Sequence, residues 1–130
     1  MNRLTILISA FLLILTGSNV YAQKNKPEND HNLKNAYEVL QEEKDEAKAL
    51  DLVTKQLRET PDNVEALLLR MKIYYYRGEY GHALKDINHA LKVNKPKKTE
   101  IQNSTLHWWK AYICQDMGDN QNAAISFRAA

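Results

Sequence analysis

The chain has 130 residues, with 18 basic and 16 acidic side chains and a formal net charge of +2. So balanced a charge argues against a nucleic-acid surface, which needs a clustered basic excess. Cys114 is the single cysteine, which rules out an intrachain disulfide framework and leaves packing to hold the fold.

The first stretch, MNRLTILISAFLLILTGSNVYA, carries Arg3, an apolar run over residues 4–15 and a polar segment that ends in Val20-Tyr21-Ala22. That is the layout of a secretory signal peptide cleaved after Ala22. A membrane anchor is the rival reading, but the apolar run covers only 12 residues, against roughly 20 for a bilayer-spanning helix. The expectation is an exported protein, periplasmic or secreted, with no stable membrane insertion after cleavage. The absence of a cysteine near the cleavage position argues against a lipid-anchored form. Cleavage leaves 108 residues, enough for one small domain with its own core.

Residues 23–31, QKNKPENDH, are polar, contain Pro27 and read as a flexible leader. From residue 32 the pattern is helical to residue 130. Apolar residues at 33, 36, 37 and 40 form one stripe, and those at 47, 50, 53, 54 and 57 form another, closed by Pro61. Leu67, Met71 and Tyr74 mark a third helix, and Ala83, Leu84, Ile87, Ala90 and Leu91 a fourth. Leu106, Ala111 and Cys114 belong to a fifth, with Ala123, Ala124 and Phe127 on a sixth. No segment alternates long enough to make a strand, so the expected class is all-α.

The sequence also repeats. When Arg77-Gly78-Glu79 is set against Met117-Gly118-Asp119, Ala83, Ile87 and Ala90 fall opposite Ala123, Phe127 and Ala130, and Arg70-Met71 fall opposite Lys110-Ala111. Gly118 follows Gly78 by 40 residues. An insertion in the basic loop KVNKPKKTEIQNS accounts for the excess over a 34-residue helical-hairpin period. A weaker copy precedes these, with Ala49, Val53 and Leu57 ending at Pro61-Asp62-Asn63. The chain from about residue 30 onward resembles the tetratricopeptide repeat (TPR) family. The central copy carries the resemblance, through Ala66, Tyr74, Gly78, Tyr80, Ala83, Ile87, Ala90 and Leu91. Met71 and Ala111 depart from the family's frequent glycine, Pro96 falls one residue late, and Lys44-Asp45 stands where a turn glycine is usual.

The resemblance implies helical-hairpin repeats at about 30–63, 64–97 and 104–130, the last incomplete, stacked as a right-handed α-solenoid. It also implies a non-enzymatic scaffold or adaptor that takes a protein or peptide partner on a concave wall lined by first helices. Mapped onto this sequence, that wall comprises Lys34, Asn35, Glu38 and Gln41; then Leu68, Leu69, Lys72, Tyr75 and Tyr76; then Trp108, Trp109, Tyr112, Gln115 and Asp116. The principal partner-binding candidates are Lys34, Glu38, Leu68, Lys72, Tyr75, Tyr76, Trp108, Trp109 and Tyr112. Rigid aromatic rings of this kind supply much of the energy at binding hot spots. The bland reading is that some of the rings fill seams between repeats. Leu69 and Trp109 stand where polar residues would be needed to clamp a partner's C-terminal carboxylate, so that clamp is not expected.

Other motifs add little. His82, Asp86 and His89 share one helical side, but the two imidazoles lie about 10.5 Å apart along the axis, too far for one tetrahedral zinc with bonds near 2 Å. They read as a solvated outer face. Lys92, Lys95, Lys97 and Lys98 form a basic edge that reads as a solvated loop. No metalloprotease, phosphate-loop or nucleophile-elbow motif occurs, and no catalytic residue, metal or cofactor is expected. Ile125 and Phe127 are expected to make the C-terminal end a self-association surface, with Phe127 in the core by its match to Ile87. The alternatives to an adaptor are the N-terminal repeat region of a longer exported sensor or enzyme, and a self-associating structural subunit.

Overall fold

The computed structural model describes residues 31–95, 99 and 101–130. The expected signal peptide, the leader as far as residue 30, and Lys97 and Lys98 of the basic edge lie outside the described residues. The described elements are all helical: α1 (His31–Glu38) running into a π-helical turn (Val39–Glu43), α2 (Glu46–Glu59), α3 (Val64–Tyr76), α4 (Tyr80–Val93), α5 (Asn103–Asp116) and α6 (Asn120–Ala129). No strand occurs among the described residues. None of the described helices is long and apolar enough to cross a membrane. Helix α1 takes in His31, which the sequence reading gave to the leader, and the Asn35 side-chain amide reaches its ring at 3.1 Å.

The described residues divide into two compact units, the first ending at Leu52 and the second running over Val53–Ala130. In the first, Leu33, Ala36, Val39, Leu40 and Ala49 are buried. The π-helical turn ends at Lys44, which adopts the left-handed conformation with φ 55°. Asp45 then starts α2, its carboxylate accepting a 3.0 Å bond from the Lys48 backbone N–H. Such N-caps contribute about 1 kcal/mol by satisfying an otherwise orphaned donor.

Along α2 the buried positions are Ala49, Val53, Gln56 and Leu57. The stripe expected at Ala47, Leu50 and Thr54 is displaced: Ala47 is exposed and the other two are half-buried. Ala49 comes one turn after the cap at Asp45, as Ala83 and Ala123 do after Glu79 and Asp119, and that cap sets the helix phase.

The second unit is built around two hairpins, α3–α4 and α5–α6, that meet through α4 and α5. Asn63 caps α3, accepting from the Ala66 N–H at 3.0 Å. At the hairpin turns, Gly78 and Gly118 have φ of 77° and 82°, a region that glycine enters without the Cβ penalty. Each turn closes with the same pair of bonds. Gly78 and Glu79 donate to the carbonyls of Tyr75 and Tyr74 at 3.0 and 2.8 Å, and Gly118 and Asp119 donate to Gln115 and Cys114 at the same distances. This is the Schellman pattern, which satisfies the last carbonyls of the leading helix. Downstream, Ala83 and Ala123 donate back to Glu79 and Asp119, as Ala49 does to Asp45. The left-handed residues Lys44, Gly78 and Gly118 are thus spaced by 34 and 40 residues. The same pair of turn bonds recurs around Gly78 and Gly118.

Small residues allow the helices to approach: Ala83, Ala90 and Ala111 are fully buried. They pack with Leu67, Met71, Ile73, Ile87, Leu106 and Ile113, each at most 1% exposed. Cys114 is also buried, with its thiol pKa raised chiefly by that burial.

The long connection after α4 is pinned by Asn94, whose side-chain amide donates to Ile101 O at 2.8 Å and Asn103 Oδ1 at 2.9 Å. The Thr99 hydroxyl donates back to Asn94 Oδ1 at 2.6 Å. Two corrections to the expected core follow. Asp86 is buried rather than solvated, because the Arg70 guanidinium grips it with bonds of 2.8 and 2.7 Å. Phe127 is 39% exposed, whereas its counterpart Ile87 is fully buried. The difference is one of cover: α5 packs on α4, the helix that carries Ile87.

The three turns make a direct comparison possible. A Cβ added at Gly78 or Gly118 would meet nothing within 4 Å, so Gly78→Ala and Gly118→Ala should each cost about 1 kcal/mol through backbone conformation alone. Lys44→Gly relieves the same conformation and should raise stability by roughly 0.5 kcal/mol, after the extra unfolded-state entropy of glycine is subtracted. Urea unfolding of the three variants would measure this, and a loss in Lys44→Gly equal to that in the alanine variants would contradict it.

Candidate functional site

The candidate site residues fall into three groups. Lys34 and Glu38 lie on α1 in the first unit and pair with each other at 3.5 Å, with side chains 61% and 50% exposed. An exposed i,i+4 pair of this kind contributes little to stability. The others lie on α3 and α5 of the second unit.

Lys72, Tyr75, Tyr76 and Trp109 come together, with Tyr75 as the hub. Its ring lies 5.3 Å from Tyr76, 5.7 Å from Tyr80 and 5.7 Å from Trp109, the first and last in edge-on geometry. Trp109 also meets Tyr76 edge-on at 6.3 Å. Edge-to-face pairs place positive ring edges on negative ring faces, each contributing about 0.5–1.5 kcal/mol beyond burial. The Tyr75 hydroxyl donates a 2.6 Å bond to Asp116 at the end of α5. Partial burial and this bond to a carboxylate both favour the neutral phenol, so the Tyr75 pKa is pushed far above the ordinary tyrosine value. Burial raises Tyr76 as well. The rings therefore join successive hairpins while Tyr75, Tyr76 and Trp109 each keep an accessible part.

Trp108 and Tyr112, one turn apart on α5, form a second cluster. Their rings lie 4.5 Å apart, and Phe127 of α6 meets them edge-on at 6.3 and 5.6 Å. Trp108 is 52% exposed, and Ile125 and Met117 are also open. Trp108 and Tyr112 occupy positions 40 residues after Leu68 and Lys72. Leu68 is half-buried and remains a candidate. Leu69 leaves the wall altogether: it is 1% exposed, on the buried stripe with Ala66 and Ile73. Successive helical residues point about 100° apart, and that step turns Leu69 into the core while Leu68 stays half-buried.

Lys72 is the electrostatic outlier. Its ammonium lies 5.5 Å from the centre of the Trp109 ring, and burial lowers its pKa to about 8, partly opposed by the charge of Glu65. The ion pairs among the described residues go elsewhere: Lys34–Glu38, Lys48–Glu43, Arg70–Asp86, Arg77–Glu79 and His89–Asp62.

His82 and His89 act apart. His82 stacks on Tyr74 at 4.9 Å, tying α4 to α3, and His89 meets Asp62 at 2.8 Å. One participant and one contact were missed by sequence reasoning. Tyr80 opens α4 with no periodic signal to place its ring against Tyr75, and the Lys72–Trp109 contact joins residues on different hairpins.

No protein-family model and no curated protein matches the chain.

The lowered pKa of Lys72 has a consequence for folding. Between about pH 8 and the ordinary value of 10.5, the unfolded chain holds a proton that the folded chain releases. Stability should therefore rise with pH across that window and bear the full penalty of the buried charge at pH 7. Lys72→Met keeps the apolar stem and removes the charge. It should be more stable than the parent by about 1–3 kcal/mol at pH 7, with the gain shrinking as pH rises through the window. Urea unfolding at pH 7, 8.5 and 10 would measure this, and an unchanged or lower stability at pH 7 would contradict it.

Proposed function

We propose that this is an exported, non-enzymatic helical-repeat protein of the tetratricopeptide kind, in the α-solenoid class, that holds another polypeptide on the aromatic face contributed by α3 and α5. Three features support the repeat reading: the left-handed turn residues spaced by 34 and 40, the Schellman closures at Gly78 and Gly118, and the alanine five residues after each left-handed residue. Export rests on the sequence of residues 1–22.

The observation that carries the binding reading is the cluster of Lys72, Tyr75, Tyr76 and Trp109, which braces itself through ring contacts while remaining partly open. Rings already fixed by one another lose little side-chain entropy on binding, so more of the burial energy appears as affinity. A partner segment laid across these rings gains contact area from them and register from the Asp116 carboxylate and the Lys72 ammonium. Trp108 and Tyr112 extend the available apolar surface along α5. The role is to hold a partner, and chemistry on a bound substrate is no part of it.

Selection of a random dodecapeptide display library against the full-length chain tests the reading. A recurrent apolar motif should emerge, and Trp109→Ala should weaken the selected peptide about tenfold or more, the scale expected when an aromatic hot spot is truncated. No enriched motif, or equal affinity for the parent and Trp109→Ala, would contradict it. Intact mass of the native protein beginning at Gln23 would check the export half of the proposal.

A further inference from the structure

Lys72 stands out because its charge has a neighbour but no counter-ion. The side chain is half-buried on α3, and its ammonium lies 5.5 Å from the Trp109 ring centre, across the seam between hairpins. A ring face attracts a cation but supplies no hydrogen-bond acceptor, and an ammonium presents three donors.

The nearby acids are committed or distant. Asp116 accepts the Tyr75 hydroxyl at 2.6 Å. Glu65 lies two turns earlier on α3, and its field reaches Lys72 along the helix. Asp86, the buried acid closest in sequence on the next helix, is gripped by Arg70. A charge with its hydration reduced and no carboxylate against it is costly to leave unmatched, and a carboxylate arriving with a partner would relieve that cost.

We infer that Lys72 is the specificity-determining residue of the aromatic face, and that the partner segment carries an Asp or Glu side chain set beside an apolar residue. This rests on the binding role proposed above and narrows it to acidic, apolar peptides. The acidic carboxylate docks on the Lys72 ammonium while the neighbouring apolar side chain lies on Trp109 and Tyr76. The ring beneath the ammonium fixes the direction from which a carboxylate can approach. The low-dielectric surroundings strengthen that contact relative to an exposed lysine.

The test is a double-mutant cycle on the peptide selected from the dodecapeptide library with the full-length chain. Its acidic residue is replaced by the matching amide, and the protein carries Lys72→Met or Lys72→Arg. The inference requires Asp or Glu beside the apolar residue in the selected motif. Acid-to-amide replacement should then cost about tenfold in affinity on the parent, the scale of a charge-assisted contact. It should cost little on Lys72→Met, with the loss largely restored on Lys72→Arg. Inorganic phosphate at millimolar concentration should not displace the peptide; displacement would mean that the site takes a phosphate group rather than a carboxylate, and would overturn the inference. A motif without acidic residues, or an equal acid-to-amide cost on the parent and Lys72→Met, would also overturn it. Retained sensitivity to Trp109→Ala would in that case leave the aromatic binding role standing. Failure to select any motif would sink both.

Discussion

Each helical hairpin depends on one residue held in left-handed backbone geometry at its turn. Gly78 and Gly118 turn the chain back so that α3 packs on α4 and α5 on α6, and Lys44 takes the same backbone geometry between the π-helical turn and α2. Helices of 8 to 14 residues are marginal alone in water, so they persist only when the turn returns each one to bury its apolar stripe on its partner. Because the turn fixes the phase of the helix that follows, it places Ala49, Ala83 and Ala123 at equivalent buried points.

The two hairpins of the second unit are copies in backbone and divergent in side chains. Arg70 and Asp86 lock the first, whereas the equivalent positions in the second are Lys110 and the buried Ser126. A bidentate pair with a buried carboxylate fixes orientation more than it adds stability, since desolvation consumes much of the Coulomb gain. The seam between the hairpins is handled differently, by rings. Tyr75 touches α5 through Trp109 and Asp116, and α4 through Tyr80. The same rings that pack the seam each keep an accessible part.

What was legible in the sequence was what depends on local backbone. Gly78 and Gly118 announce their turns because glycine alone adopts that geometry freely, and the alanines announce close approach. The Lys44 turn carried no such marker and was recognisable only as a gap in the pattern. Features that depend on a residue far along the chain were not legible. Asp86 looked like a surface acid because nothing local indicates that Arg70, sixteen residues earlier, turns toward it. Phe127 was placed in the core by its match to Ile87, yet repetition transmits a position without the neighbour that covers it. Leu69 was expected on the wall beside Leu68, but it is buried in the core. Asn94, which ties down the connection between hairpins, looked like an ordinary loop asparagine.

Ring packing at the seam and partner contact on the same rings form the central claim, and spectroscopic mapping of a bound peptide tests it most directly. In nitrogen–proton correlation spectra of the full-length chain, titration with the selected dodecapeptide should move the Trp109 indole N–H and the α3 and α5 amides around Lys72, Tyr75 and Tyr76. The amides of the Gly78 and Gly118 turns should stay in place, because the hairpins are already formed. Shifts confined to α4 and α6, with the Trp109 indole unmoved, would place the contact elsewhere and contradict the account.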